Sequence, residues 1–412
     1  MPGSHATAYA RGRALERIEQ LARRGLAAVT FLMEAGRELE QAVPFNAHAL
    51  PNPTWLTLDP ASLLVTSMIE GGEGGRSCEM SPQEWATFEY ASETLGNRIS
   101  DVVRHPRGIQ TGSELIHAHP HRAREYRELL ADIGAAHEVL VALQTSDGAH
   151  WGAFYLNREP GRPDFSSEEV EFLRVVAPHL ADGVRRGLLV GEAWEPEGLG
   201  APAIAVLGPG LSLEASTPGA EPWLAALPGS IAEAIPPAVV SVAQSVLRDP
   251  AGHDRSTTAR VYSDTRGWAT LHGQALTGPD GLRAAVTIQA AGPDQITPLL
   301  MAAYGLTDRE EQITRHVLQG GSTTEIAKAL TISPYTVQDH LKSVFEKTSV
   351  SSRRELAGRV FARHYGPRVE DNSTRIERDQ PVRGGPWPDR PSANPDAAAD
   401  TTGGGGDGND PR

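Results

Sequence analysis

Three histidines at alternate positions, His117, His119 and His121, have a type and spacing that could support metal chemistry. On a β-strand, residues two apart share one face, and imidazole nitrogens placed there can bind a transition metal. Pro120 interrupts such a strand, however, and no cysteine or pair of carboxylates stands beside the histidines. The pattern therefore favours a polar surface, and no metal site is expected.

The remaining reactive groups give no catalytic site. The single cysteine, Cys78, lies close to Arg76, whose charge favours a thiolate, but an incidental thiol is the simpler interpretation. One cysteine cannot form an internal disulfide, which suits a reducing cytoplasm. No Gly-x-x-x-x-Gly-Lys phosphate loop and no nucleophile–base pair is found in the sequence. We assign no catalytic residue, and the cofactor is unknown.

Charge is distributed unevenly along the 412 residues, whose net charge is −14. Residues 297–365 contain nine basic and seven acidic residues, whereas residues 1–296 contain 23 and 36. Residues 297–365 contain more basic than acidic residues, unlike residues 1–296, so contacts with phosphate are expected there. No run approaches eighteen apolar residues, and the N-terminus lacks the layout of a secretory signal. We therefore expect a cytoplasmic protein without a membrane segment.

Capping chemistry predicts four helix starts within residues 297–365. In three places a serine or threonine is followed three positions later by glutamate, which is the pattern of a capping box. These pairs are Thr307 with Glu310, Ser322 with Glu325, and Ser352 with Glu355. Ser333 followed by Pro334 predicts another start, and Gly320-Gly321 predicts the end of the first helix. The result is a small all-α domain of four helices.

The order and the amino-acid sequences of these helices resemble the LuxR-type helix-turn-helix. The resemblance covers about 60 residues and rests on Leu306–Glu310, Glu325–Ala327 and Thr336–Leu341. It implies a transcription regulator whose third helix enters the major groove of double-stranded DNA. It also implies paired half-sites about one helical turn apart, and hence a homodimer. RNA polymerase is then an expected partner.

The same resemblance assigns roles to individual residues. Gln338, Asp339 and Lys342 would face the bases, where Gln can pair with adenine, Asp can accept from cytosine and Lys can reach guanine. Members of the family commonly have lysine where this chain has Gln338. The residues expected to fix the register on phosphates are Ser333, Tyr335, Thr336, Lys347 and Arg353.

Residues 50–190 alternate between strand and helix signals, which predicts an α+β domain. Trp151–Leu156 on the penultimate strand, followed by Phe165–Glu169 opening a closing helix, resemble a GAF-type sensor domain. Such domains bind small molecules or act as dimerisation scaffolds, and no ligand residue is carried over here. Residues 201–292 predict two strands, short helices and a three-stranded meander, an order of elements that resembles a PAS fold.

The expected fold class is multidomain α+β, with GAF-like and PAS-like sensor domains followed by an all-α four-helix LuxR-type helix-turn-helix domain. The predicted segments are a helical one at 1–49, the GAF-like domain at 50–190, the PAS-like domain at 201–292, the helix-turn-helix domain at 297–365, and a tail at 366–412. The composition of the tail predicts disorder.

Two other functions stay open at this point. One is an enzyme in residues 50–290 with an autoregulatory DNA-binding module, although no catalytic set supports it. The other is a sigma-like partner of RNA polymerase, which the presence of a single DNA module disfavours. Under the leading hypothesis, an unknown signal controls the regulator, and a small-molecule ligand at the sensor region is possible.

Overall fold

The computed structural model describes residues 2–45, 53–70, 81–91, 96–190, 202–229, 235–248, 257–278, 281–291, 295, 299 and 301–364. Cys78 and the tail at 366–412 lie outside these residues, as do the sequence-predicted glycine-rich loop Gly71–Gly75 and linker at 192–200. Among the described helices, none is long and apolar enough to cross a membrane.

Two N-terminal helices, α1 (Pro2–Arg23) and α2 (Ala28–Ala42), form a layer with the long helix α7 (Ser167–Val190). Their apolar faces share one core, to which Ile18 and Phe31 contribute fully buried side chains. The layer is closely packed at Gly183, where a Cβ would come within 2.0 Å of the Phe31 ring. Only glycine allows α7 to approach α2 this closely.

The first sheet has five antiparallel strands in the order β2-β1-β5-β4-β3. The strands are β1 (Thr54–Leu58), β2 (Val65–Glu70), β3 (Ile109–Thr111), β4 (His137–Gln144) and β5 (His150–Arg158). Alternate side chains point to opposite faces, as the period of a strand requires. Trp55 and Phe154 therefore face the α1–α2–α7 layer, whereas Leu56 and Tyr155 belong to the core on the other face.

Four short helices accompany this sheet, and a 3₁₀ turn at Pro120–Arg122 precedes the last of them. They are α3 (Pro82–Tyr90), α4 (Ile99–Val102), α5 (Gly112–Ala118) and α6 (Ala123–Asp132). A capping box opens both α3 and α5, formed by Ser81 with Glu84 and by Thr111 with Glu114.

The second sheet is also five-stranded and antiparallel, in the order β7-β6-β10-β9-β8. Its strands are β6 (Ala203–Leu207), β7 (Leu213–Ser216), β8 (Thr258–Ser263), β9 (Gly267–Gly278) and β10 (Gly281–Ala290), with helices α8 (Ala220–Ala226) and α9 (Pro237–Arg248). Helix α9 packs on this sheet and also on α3 and β2 of the first unit. One hydrophobic core therefore runs between the two sheets.

A buried ion pair joins the two units. Asp59, which follows β1 and is fully buried, accepts three hydrogen bonds from Arg260 on β8. They come from the backbone N–H and the guanidinium, at 2.7 to 2.9 Å. Because an unpaired buried charge is costly, this bidentate pairing strongly favours one relative position of the two sheets.

The C-terminal helices are α10 (Asp308–Leu318), α11 (Thr323–Leu330), α12 (Pro334–Lys347) and α13 (Arg353–His364). Each begins where the capping chemistry predicts. The boxes at Thr307 and Ser322 are complete, with both reciprocal hydrogen bonds present. At α13, Ser352 Oγ accepts from the backbone of Glu355, and the Glu355 carboxylate accepts from the backbone N–H and the hydroxyl of Ser351.

The residues before α10 belong to two cores at once. Leu299 and Ala303 are buried in the core of the α1–α2–α7 layer. Met301 and Leu306 are buried in the core of the C-terminal helices. Residues 301–303 are helical, so their side chains leave the backbone in different directions and can reach both cores. Leu299 and residues 301–306 thus contribute to both units.

Candidate nucleic-acid interface and buried cavity

A three-residue turn joins α11 to α12. Thr331 adopts the left-handed conformation, with φ 56° and ψ 47°, and ends α11. The N–H of Ile332 then donates to the carbonyl of Ala327 at 3.0 Å, which closes the turn. Ser333 caps α12 by accepting from the backbone N–H of Thr336 at 3.0 Å. The tight turn fixes the direction in which α12 leaves α11.

Helix α12 has two distinct faces. Its inner face places Val337, Leu341 and Val344 in the core of the C-terminal helices. Its outer face is exposed and carries the three residues expected to read bases, Gln338, Asp339 and Lys342. These side chains make no hydrogen bond or ion pair to any residue that the structure describes. Their polar groups are therefore available to a partner outside the chain.

The residues expected at phosphates fall into two groups. Ser333, Tyr335 and Thr336 cluster at the N-terminal end of α12, where Tyr335 is 73% exposed. This helix end presents backbone N–H groups that favour an anion. Lys347 and Arg353, in contrast, already bind groups of the same domain.

Glu310 organises the contact between α10 and α12. Its carboxylate accepts from Lys347 Nζ at 2.7 Å, from Ser343 Oγ at 2.6 Å and from the backbone of Thr307 at 2.7 Å. Burial alone would raise the pKa of this carboxyl, but the hydrogen bonds from Lys347, Ser343 and Thr307 outweigh it and lower the pKa to about 2. Glu310 is thus ionised at neutral pH and holds Lys347 in place.

Arg353, at the start of α13, likewise connects two parts of the C-terminal domain. Its guanidinium donates to the carbonyl of Gly321 at 2.8 Å and to Thr323 Oγ1 at 2.8 Å. These contacts fasten α13 to the turn before α11. A guanidinium has five N–H donors and an ammonium has three, so Arg353 and Lys347 keep donors for a further acceptor.

The three histidines lie away from this surface and not on a strand. His117 is in the last turn of α5, His119 follows that helix, and His121 lies in the 3₁₀ turn. The rings of His119 and His121 are 6.4 Å apart and nearly perpendicular. Within the described ranges, no group of three histidine, cysteine or carboxylate side chains could hold a metal ion.

A cavity lies between the first sheet and helices α3 and α6. It encloses about 640 Å³, a volume that includes its open mouth. Trp85 and Phe88 of α3 and Leu129 of α6 contribute apolar walls. The polar groups that line it include Asn97 and Glu138, which are 1% and 7% exposed. A largely apolar lining with a few polar groups is typical of small-molecule sites.

Glu138, at the bottom of this cavity, belongs to a hydrogen-bonded cluster. Its Oε1 accepts from Asn97 Nδ2 at 2.9 Å and from the Tyr126 hydroxyl at 3.0 Å. Burial raises the pKa of Glu138 to about 7, against the lowering effect of these two hydrogen bonds. Tyr155 donates to the backbone carbonyl of Asn97 at 3.1 Å, which fixes the position of that residue. Sequence reasoning missed this site, because Asn97 and Glu138 are 41 positions apart.

Comparison with known proteins identifies two domains in the chain. The family model described as bacterial regulatory proteins of the luxR family matches residues 305–360. The GAF domain model matches residues 18–184. The chain therefore contains a GAF domain and, C-terminal to it, a luxR-family helix-turn-helix domain. The LuxR-type and GAF-type resemblances drawn from the sequence are confirmed, as is the fold expected for these two parts.

Individual relatives match the C-terminal part. Over 89 residues, the chain is 42% identical to the transcriptional regulatory protein UhpA of Escherichia coli K12, an alignment that covers 20% of this chain and 45% of that protein. Over 67 residues, it is 36% identical to the transcriptional regulatory protein DesR of Bacillus subtilis 168, covering 16% of this chain and 34% of that protein. The chain thus spans less than half the length of these relatives.

Comparison with solved structures gives a weak match to part of the chain. The match is to the crystal structure of a putative GAF sensor protein from Burkholderia vietnamiensis, with a TM-score of 0.27 and 13% sequence identity. The match covers 44% of this chain and 97% of that one.

Proposed function

We propose that this protein is a transcription regulator that binds double-stranded DNA in a sequence-specific manner through α12. The observation that carries the proposal is the outer face of that helix. Gln338, Asp339 and Lys342 are exposed and have no partner among the described residues, directly after the tight turn of a luxR-family domain. In the major groove, these side chains would meet base edges with donors and acceptors that they can pair.

The contacts to phosphate would come from around this face. Ser333, Tyr335 and Thr336 would meet the backbone at the N-terminal end of α12. Lys347 and Arg353 would contribute through the donors that Glu310, Gly321 and Thr323 leave unused. Because these two cations are fastened within the domain, they would meet the phosphates at little cost in side-chain entropy.

A dimer is part of the proposal, with RNA polymerase as a further partner. A single module with nine basic and seven acidic residues at 297–365 has too small an excess of positive charge for tight binding. Two modules bound to half-sites about one helical turn apart would together bind the DNA more tightly than one. The N-terminal layer exposes apolar side chains, Tyr9 at 71% and Val29 at 46%, which would suit contact with a second copy.

The N-terminal part would act as the sensor, and its role would be regulatory and not catalytic. We propose the domain limits given above, with residues 201–292 as a PAS-like domain. In support, the two sheets have the same strand order. When the strands of each sheet are numbered one to five along the chain, both sheets have the order 2-1-5-4-3. The cavity beside Glu138 would receive a small-molecule ligand. The cytoplasmic location stays a prediction.

The test is binding to a randomised operator library at two salt concentrations. Lys342→Ala is expected to lose affinity and to relax the preference at one base pair by about 1–3 kcal/mol. Gln338→Ala is expected to relax the preference at a neighbouring base pair without changing the salt dependence, because no charge is lost. Arg353→Ala is expected to weaken all sequences about equally and to lower the salt slope by about one.

Lys328→Ala is the matched control for Lys342→Ala. Lys328 is an exposed lysine of α11 in the same domain, so the two variants lose the same charge. The control is expected to keep the sequence preference of the wild type. If Lys342→Ala and Gln338→Ala also kept it, with the fold intact by circular dichroism, the base-reading face would not be on α12. An absence of DNA binding would refute the proposal as a whole.

A further inference from the structure

We propose that the cavity between the first sheet and helices α3 and α6 binds a small organic amine, with its protonated amino group at Asn97 and Glu138. The inference rests on the proposed sensory role of the GAF domain and names the chemical class of its ligand. Three observations carry it: the hydrogen-bonding groups that remain in the cavity, the charges of its lining, and the shape of its walls.

In this polar cluster the N–H and O–H groups already donate hydrogen bonds within the protein, whereas two oxygen atoms remain that can accept one. Asn97 donates its amide N–H to Glu138, and the hydroxyls of Tyr126 and Tyr155 donate to Glu138 and to the backbone of Asn97. The side-chain carbonyl oxygen of Asn97 is buried and accepts no hydrogen bond from any described residue. Both bonds to Glu138 go to Oε1, so Oε2 takes part in neither. A ligand that completes this cluster must therefore bring N–H or O–H donors.

The charge of the residues that line the cavity favours a ligand whose hydrogen-bond donor is positively charged. Of the described residues that line the cavity, Glu138 is the only acidic one and none is basic. Arg98 stacks over the ring of Phe88, with 5.7 Å from its guanidinium carbon to the ring centroid, but it is not part of the lining. Its positive charge acts on the neighbouring buried carboxylate of Glu89. A protonated amine would pair with the ionised form of Glu138 and favour that form, whereas an anion would be repelled by it.

The walls fit the rest of such a molecule. Trp85 and Phe88 offer aromatic rings, and aromatic faces attract organic cations and pack against flat apolar groups. Met68, Leu129 and Leu130 add an aliphatic surface. The amino group would thus lie at Asn97 and Glu138, and an aromatic or cyclic body would lie between α3 and α6.

The experiment is calorimetric titration of the full chain with three probes that share a 2-phenylethyl group. They are 2-phenylethylamine, which is a cation, 2-phenylethanol, which is neutral, and 3-phenylpropanoate, which is an anion. The amine is expected to bind the wild type about tenfold or more tightly than the alcohol, because it adds a charge-assisted hydrogen bond. The anion is expected to bind most weakly. In Glu138→Gln, which keeps the shape of the side chain, the preference for the amine over the alcohol should disappear.

Glu89→Gln is the matched control. Glu89 is as deeply buried as Glu138 and accepts from the backbone of Ile99 and Ser100, but it does not line the cavity. This variant should keep the preference for the amine. The proposal is overturned if none of the probes binds, if the alcohol or the anion binds the wild type as tightly as the amine, or if Glu89→Gln and Glu138→Gln lose the preference equally.

Thermal unfolding establishes whether each variant is folded. If Glu138→Gln does not fold, the comparison of the three probes on the wild type decides alone. DNA binding is measured separately, without any probe. A chain that binds DNA but does not prefer the amine refutes this inference only, and a chain that prefers the amine but binds no DNA refutes the proposed function only.

Discussion

Replacing Glu310 with glutamine removes the negative charge that connects α10 to α12 while leaving the capping box at Thr307 nearly intact, because glutamine also serves at this position. Lys347 and Ser343, both on α12, would lose a charged acceptor. We expect the helix-turn-helix domain to become less stable and α12 to unfold locally more often, although no residue of its base-reading face is changed.

The magnitude follows from the pKa of Glu310, which is lowered from 4.5 to about 2. At about 1.4 kcal/mol for each unit, the ionised form is stabilised by roughly 3 kcal/mol in the folded domain. The side chain of Lys347 is 34% exposed, so solvent screens part of this contribution, and about 2 kcal/mol is expected at pH 7. A lowered pKa stabilises the fold above about pH 4.5, and this contribution is lost as the pH falls towards 2.

Hydrogen exchange of the full chain, followed by mass spectrometry on peptides from α12, measures the effect. At pH 7, exchange through opening of α12 should be faster in Glu310→Gln by about 30-fold, which corresponds to 2 kcal/mol. After correction for intrinsic exchange rates, the difference should shrink as the pH is lowered from 4.5 towards 2. In a Lys347→Met background, Glu310→Gln should have a smaller effect, because the partner is already absent.

Glu325→Gln is the control, because Glu325 occupies the same position of the capping box at Ser322 and has no ion pair with a described residue. Its effect should be clearly smaller than that of Glu310→Gln. The reasoning fails if the two substitutions change the exchange of α12 equally, or if Glu310→Gln exchanges like the wild type at pH 7.

Three further substitutions test other parts of the structure. Leu341→Ala should destabilise the C-terminal domain by about 2–5 kcal/mol through a cavity in its core, and hydrogen exchange in α10 to α12 should then exceed that of the wild type. Thr331→Gly should stabilise the domain by about 1 kcal/mol, since Thr331 has a left-handed φ of 56°; unchanged or faster exchange would contradict this. Asp59→Asn should lower the calorimetric unfolding temperature of the two sheets, because a buried Arg260 loses its counter-charge; an unchanged temperature would show that the ion pair adds nothing.

Local chemistry made the C-terminal domain predictable. A capping box is a contact between residues three positions apart, so the sequence itself displays it, and the starts of α10 and α11 follow from it. The same signal precedes α3 and α5, at Ser81 with Glu84 and at Thr111 with Glu114.

Contacts between distant residues were beyond the reach of sequence patterns. Lys347 and Glu310 are 37 positions apart, and Arg353 lies 32 positions from the carbonyl of Gly321 that it binds. The family resemblance placed both cations at phosphates, and only tertiary structure reveals the partners that they have within the domain. The exposed positions of Gln338 and Lys342, by contrast, follow from helical periodicity once α12 is located.

Leu299 and residues 301–306 set the angle between the GAF domain and the DNA-binding helices. Each residue of a helix advances the chain by about 100° around its axis. One residue inserted between Met301 and Ala303 would turn Ala303 and Leu306 away from their cores whenever Met301 stayed in its own, and would rotate α12 about the axis of this helical turn by about 100°. An insertion of four residues would bring the angle back to within about 40° of the original one. A chimera that joins another sensor to this helix-turn-helix domain should therefore keep its regulation only at certain linker lengths, spaced by one helical turn.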